Sequence, residues 1–320
     1  MNILIVGLGV IGTTYGYLFQ KKGYHVEHLI RESSKMASVK ELDIELLDGR
    51  TNPGGEKTTD RYSVFKRSKR KYDFIFVSVP SGNIADVTNT LREENIHGTI
   101  ILCCGIWQGH DYVDKQMHGF SYILGYPVAG GNMDENRLSC CVFDHFMLEK
   151  KEKTTISNYN TLSQLFSDCN IKAENPYDML EWIWLHMAIN AGVVSVAGKY
   201  GNVENISTSA ETLMNSQKKL AEAIKAIRET IKIIEARGVI LKNYRNELFA
   251  YKLPTLISAP IMKNMFKKNI LTRKIMTLHG NLKDLLFVCK SVYDEGQQRN
   301  IKAPTFYNSY ESMLNKIDRL

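Results

Sequence analysis

Residues 7–12 read Gly7-Leu8-Gly9-Val10-Ile11-Gly12, the pattern G-x-G-x-x-G. This spacing suits recognition of a pyrophosphate. The first glycine allows a tight turn, the second lets the backbone approach the anion, and the third lets a helix pack closely on its strand. Free N–H groups at the helix start, those of Val10 and Ile11 among them, then hold the charge together with the helix dipole. The hexapeptide alone is a weak signal, but here it follows an apolar run at residues 3–6 and opens a helix over residues 13–22.

A second strand is expected over residues 26–30, followed by Arg31-Glu32-Ser33-Ser34-Lys35. At this strand end NAD sites place an acid for the ribose 2′-OH, whereas NADP sites place a cation for the 2′-phosphate. Arg31 can clamp a phosphate with two donors. NADP is therefore the expected cofactor, and Glu32 leaves NAD as the alternative.

The elements that must position these residues follow from periodicity. A β-α-β unit calls for a parallel sheet and a right-handed crossover. Further strands are expected at residues 42–47, 62–65, 73–79, 99–103, 122–126 and 140–146, with a helix at 84–91. Beyond Asn175-Pro176 no strand pattern appears. Helices are expected at 179–200, 210–237 and 274–295. Leu220, Ile224, Ile227, Ile231 and Ile234 form an apolar seam on the second, and Gly238 suits its C-cap. Leu282, Leu285, Leu286, Cys289 and Val292 form the stripe of the third. The expected fold is an N-terminal Rossmann-type, mainly parallel sheet domain at residues 1–175. An all-α C-terminal domain for substrate and dimerisation follows at 176–320.

The 320 residues are 44% hydrophobic and 23% charged, which excludes a disordered chain. The net charge of +7 is uneven: residues 1–175 hold 20 Lys+Arg against 21 Asp+Glu, and residues 176–320 hold 21 against 13. Such a field can attract small anions. The run Lys66-Arg67-Ser68-Lys69-Arg70-Lys71 lacks interleaved aromatics and reads as a solvated loop, not a nucleic-acid site. The six cysteines form no C-x-x-C, which argues against a disulfide framework and against a metal site. No leader pattern precedes the first strand, so a reducing cytoplasm is expected. The apolar stretch 182–198 carries His186 and Asn190 and is short for a membrane span.

With Gly7, Gly9, Gly12 and Arg31 in place and an all-α second half, the chain resembles the ketopantoate reductase (2-dehydropantoate 2-reductase) family over essentially its whole length. Gly125-Tyr126-Pro127 is similar to a segment of some relatives. The family's catalytic-helix motif matches Trp184 and Asn190, with His186 at the Lys position and Val194 at that of the second Asn. Pro80 and Cys104 stand where the family has a Lys and an Asn. Asp284 falls at the position of a C-terminal Glu, and Thr272 at that of a substrate-binding Ser.

The resemblance implies hydride transfer between NADPH and a 2-oxo acid or related carbonyl in an interdomain cleft, and a place in pantothenate biosynthesis. It implies Cys104 at the cofactor, His186, Asn190 and Asp284 as catalytic residues, and Asn190 with Thr272 at the substrate. A protonated His can serve as both acid and cation beside the developing alkoxide. His279 could enter the same cleft. The implied partners are a small anionic substrate and a second copy paired through the helical domain, with no nucleic acid, membrane or metal. One alternative is opine-dehydrogenase-like reductive amination using a His186–Asp284 pair. Another is a dinucleotide-binding regulator without catalysis.

Overall fold

The computed structural model describes residues 1–80, 83–278 and 280–318. The chain divides into two compact units, Met1–Leu180 and Glu181–Leu320.

The first unit is built on one nine-stranded sheet. Its elements are β1 (Asn2–Val6), α1 (Val10–Lys21), β2 (His25–Leu29), β3 (Glu41–Asp48), β4 (Glu56–Ser63), β5 (Lys71–Val77), α2 (Ile84–Glu93), β6 (His97–Leu102), α3 (His110–Gln116), β7 (Tyr122–Asp134), β8 (Arg137–Leu148), α4 (Tyr159–Asp168) and β9 (Lys172–Glu174). The strand order is β2-β1-β5-β6-β7-β8-β3-β4, with β9 on β8. From β2 to β7 every pairing is parallel, the Rossmann half expected from the β-α-β start. The β7–β8 hairpin is antiparallel and extends the sheet sideways to β3 and β4.

Helix α1 packs on this sheet because glycines let it approach. A Cβ on Gly12 would lie 2.6 Å from Ile5 Cγ2, and one on Gly16 would lie 2.7 Å from the Tyr62 hydroxyl. Tyr15 stacks on Phe76 at 5.3 Å and meets Phe146 edge-on at 5.5 Å. Phe146 in turn stacks on Phe166 of α4 at 4.6 Å. Such aromatic pairs add specificity to area burial and fix the helix over β1.

The boundary differs slightly from the one expected at Asn175-Pro176. Residues 175–178 are tied to the first unit by polar contacts. Asn175 Nδ2 donates to the Leu148 carbonyl at 2.8 Å, and Lys153 pairs with Asp178 at 2.9 Å. The division therefore falls in the first turn of the following helix.

That helix, α5 (Met179–Tyr200), has the bounds that its apolar run predicts. By length and composition it could cross a membrane, but 61% of its most apolar stretch is buried within the protein. Helices α6 (Ile206–Met214), α7 (Gln217–Arg237), α8 (Arg245–Lys252), α9 (Thr255–Lys268), α10 (Ile270–Leu278), α11 (Leu282–Gln298) and α12 (Pro304–Ile317) complete the unit. The helix expected at 210–237 is two helices. Ser216 breaks it by accepting from the Lys219 N–H as an N-cap. The helix expected at 274–295 is likewise α10 and α11, restarted by Asn281.

The seam of α7 is buried throughout and meets α5 closely. A Cβ on Gly192 would lie 2.7 Å from the Ile227 backbone nitrogen, and Thr230 Oγ1 donates to the Ala188 carbonyl at 2.8 Å. At its far end, Lys316 of α12 donates to the carbonyls of Gly198, Lys199 and Gly201, neutralising the C-terminus of α5.

Candidate functional site

The first unit holds a cavity of about 740 Å³ at the C-terminal ends of β1 and β2. Gly7 lies on its wall with Val6 and Leu8, and Arg31, Glu32, Ser33 and Ser34 form the side beyond β2. Gly7 adopts φ +83°, which glycine accepts without strain. Gly9 precedes α1 in extended backbone, and no side chain caps this helix start. The first helical bond runs from the Thr13 N–H to the Gly9 carbonyl at 2.9 Å. The N–H groups of Val10, Ile11 and Gly12 precede it and have no acceptor within the helix, the arrangement that suits an anion. A Cβ on Gly9 would meet nothing within 4 Å, so the space beside it is free for a ligand.

His28, a buried residue of β2 that sequence reasoning did not single out, lines the same cavity. Its Nδ1 lies 2.8 Å from the Gly7 carbonyl, and its Nε2 lies 2.7 Å from the Tyr62 hydroxyl. A carbonyl can only accept, so Nδ1 carries the proton and Nε2 accepts from Tyr62. Burial pulls the His28 pKa down to about 4, outweighing the Gly7 bond. The ring is therefore neutral at pH 7 and pins the glycine turn.

The unfolded chain takes up this proton near pH 6.5 and the folded chain only near pH 4. Between these values the unfolded state binds more protons, so stability falls as pH falls, by roughly 3 kcal/mol across the window. Urea unfolding at pH 7 and pH 4.5 should show this loss in the parent and a clearly smaller one in His28→Asn. Equal losses would refute it.

The basic run is the largely exposed loop that its composition suggests, and it is an ordered one. Residues 65–67 pair with the outer edge of β2: the His28 N–H donates to the Phe65 carbonyl at 2.7 Å, and the Arg67 N–H to the His28 carbonyl at 2.9 Å. Glu27, 2% exposed, anchors the next turn. It accepts from the Ser68 N–H at 2.7 Å, the Ser68 hydroxyl at 2.6 Å and the Tyr72 hydroxyl at 2.5 Å. Burial opposes ionisation of Glu27, but these donors and His25 hold its carboxyl well below the usual range. Lys66 and Arg67 consequently line the cavity. The signal was in the sequence, but only the strand pairing shows where the run lies.

Cys104 is buried after β6, its thiol 3.7 Å from the Val77 carbonyl, so its side chain does not line the cavity.

The other candidates belong to the second unit. His186 and Asn190 lie one turn apart on a partly accessible stripe of α5. Trp182 stacks on the His186 ring at 5.0 Å and 12°, which fixes the plane of the imidazole. Arg237 lies over the Trp184 ring at 4.3 Å and pairs with Glu295.

Asp284 sits in the first turn of α11, where Asn281 Nδ2 donates to its carboxylate at 2.7 Å and its N–H donates to Asn281 Oδ1 at 3.3 Å. This is a reciprocal helix cap. Two contacts link α11 to α5. Cys289 reaches the Ala191 carbonyl, and Glu295 reaches Trp184 through Arg237. Thr272 lies in the first turn of α10, its N–H on Asn269 Oδ1 at 2.9 Å. His279 lies outside the described residues.

Residues 3–105 match the family model described as ketopantoate reductase PanE/ApbA. A search among curated proteins finds no match. Solved structures similar to the chain include a dimeric ketopantoate reductase from Staphylococcus aureus, at 11% identity and a TM-score of 0.61, covering 100% of this chain and 99% of that one. A D-mandelate dehydrogenase with NADH and anilino(oxo)acetate is similar at 13% identity and 0.62, covering 100% and 99%. Yersinopine dehydrogenase with bound NADP+ is similar at 10% identity and 0.65, covering 100% and 91%. The matched residues include the glycine turn and Arg31, and the fold of the chain is similar to that of solved ketopantoate reductases.

Proposed function

We propose that the protein is an NADPH-dependent reductase of a 2-oxo acid or a related carbonyl. The observation that carries this reading is the cavity beside the glycine turn. It joins Gly7 and Leu8, just before the uncapped start of α1, to Arg31, Ser33 and Ser34. A pyrophosphate fits the helix N-terminus, and a 2′-phosphate fits Arg31 with its neighbouring hydroxyls. When bound, the nicotinamide cofactor supplies the hydride.

The chain's own residues supply the rest. His186, its ring plane set by Trp182, donates the proton to the carbonyl oxygen and stabilises the charge that develops there. Asn190, one turn on, orients the carbonyl or carboxylate by hydrogen bonding. The basic second half favours an anionic substrate. Reductive amination by a His186–Asp284 pair fits less well, because the Asp284 carboxylate is engaged by Asn281 in the cap of α11.

A homodimer paired through the helical unit belongs to the same reading, since Leu256, Ile257 and Ile261 of α9 are exposed. So does a reducing compartment, because the six cysteines are buried thiols.

The test is oxidation of NADPH and NADH over a panel of 2-oxo acids, with and without added amino acids. Oxo-acid-dependent NADPH oxidation, at least about tenfold faster than with NADH at subsaturating cofactor, is expected from one charge-assisted contact. Turnover only with added amine would favour reductive amination. Tight NADPH binding with no turnover on any oxo acid would favour a regulator.

A further inference from the structure

Three cations, Arg31, Lys66 and Arg67, and two carboxylates, Glu32 and Glu94, line the cavity. They are not equivalent. Arg67 pairs with Glu94 and donates to the Lys69 carbonyl at 3.3 Å, so its charge is matched and its guanidinium held. Among the described residues, Arg31 and Lys66 have no such partner. Two cations therefore face a single unmatched carboxylate, Glu32.

Lys66 is also held where it can act. It forms a parallel bridge with His28, two residues before Ile30 and three before Arg31. The bonds of Phe65 and Arg67 to His28 bracket it, and the buried Glu27 anchors the chain two residues on. A flexible loop would lose much of its phosphate affinity to ordering, and this segment is already ordered.

The charge pattern selects its ligand. A phosphate monoester carries nearly two negative charges at neutral pH and accepts from several donors. A ribose hydroxyl carries none and would need only Glu32. We propose that Lys66 is a second specificity-determining cation, sharing with Arg31 the 2′-phosphate of an NADP-type dinucleotide. This rests on the cofactor reading above and extends it to a strand edge outside the β-α-β unit.

The test measures equilibrium binding of NADPH and NADH to the full-length protein by fluorescence titration at low salt. The parent is compared with Lys66→Met, Lys66→Arg, Arg31→Met and Lys71→Met, the last an exposed member of the same run away from the cavity. Losing one charge-assisted contact to phosphate should weaken NADPH by about tenfold in Lys66→Met, with NADH unchanged within twofold. Lys66→Arg should restore NADPH affinity, and Lys71→Met should have no effect.

If Lys66→Met weakens both cofactors alike, or neither, while the parent still prefers NADPH, Lys66 is not a specificity residue and the cofactor reading stands on Arg31. If the parent binds NADH as tightly as NADPH, the cofactor reading fails and this proposal with it.

Discussion

Gly9→Val is expected to fold and melt like the parent protein while losing dinucleotide binding. The fold tolerates the change for two reasons. Gly9 has φ −87° and ψ 165°, a backbone any residue adopts, and a Cβ there meets nothing within 4 Å. Valine is a poorer N-cap residue than glycine, which costs under about 1 kcal/mol. The empty space is instead where a pyrophosphate must approach the N–H groups at the start of α1. Losing two charge-assisted bonds at about 1.5–3 kcal/mol each weakens binding by about a hundredfold to ten-thousandfold, for NADPH and NADH alike.

Gly12→Val is the control. Its Cβ would press on Ile5 Cγ2 at 2.6 Å and Ser78 Oγ at 3.0 Å, so that variant should lose about 1–3 kcal/mol of stability. Thermal melts alongside cofactor titrations separate the two effects. If Gly9→Val bound either dinucleotide normally, the glycine turn would be a structural turn and the cofactor site would lie elsewhere.

The contrast between these glycines also shows what could be read from sequence. A glycine turn after an apolar strand is local information, so β1, α1 and the anion site follow from one short window. Helix α5 is legible because its apolar character runs its whole length. The α6–α7 break was hidden because both helices are polar and periodic around Asn215 and Ser216, and only the cap bond to Lys219 marks the restart. The Asn281-x-x-Asp284 spacing carries a capping signal in addition to the functional reading of Asp284. Lys66 is the opposite case. Its type was visible, but its role depends on an edge pairing to β2 across nearly forty residues of chain, and no local pattern encodes that.

His186→Ala should lower the turnover number for oxo-acid reduction by about a hundredfold to ten-thousandfold, the usual contribution of a positioned general acid. Cofactor affinity should not move, because His186 belongs to α5, whereas the described residues that line the cavity belong to the first unit. The truncation also removes the ring stacked on Trp182, so loss of activity alone would not distinguish a proton donor from a packing residue. Two further readouts do.

His186→Lys restores a donor of another acidity. It should recover part of the turnover, and the pH at which activity falls should move upward, because an ammonium is a weaker acid than an imidazolium. His186→Phe keeps an aromatic ring against Trp182 without a proton to give, and should stay as slow as the alanine variant. A phenylalanine variant with normal turnover, or a lysine variant with an unmoved pH profile, would leave His186 as packing and return the search for the proton donor to the other polar groups near Asn190.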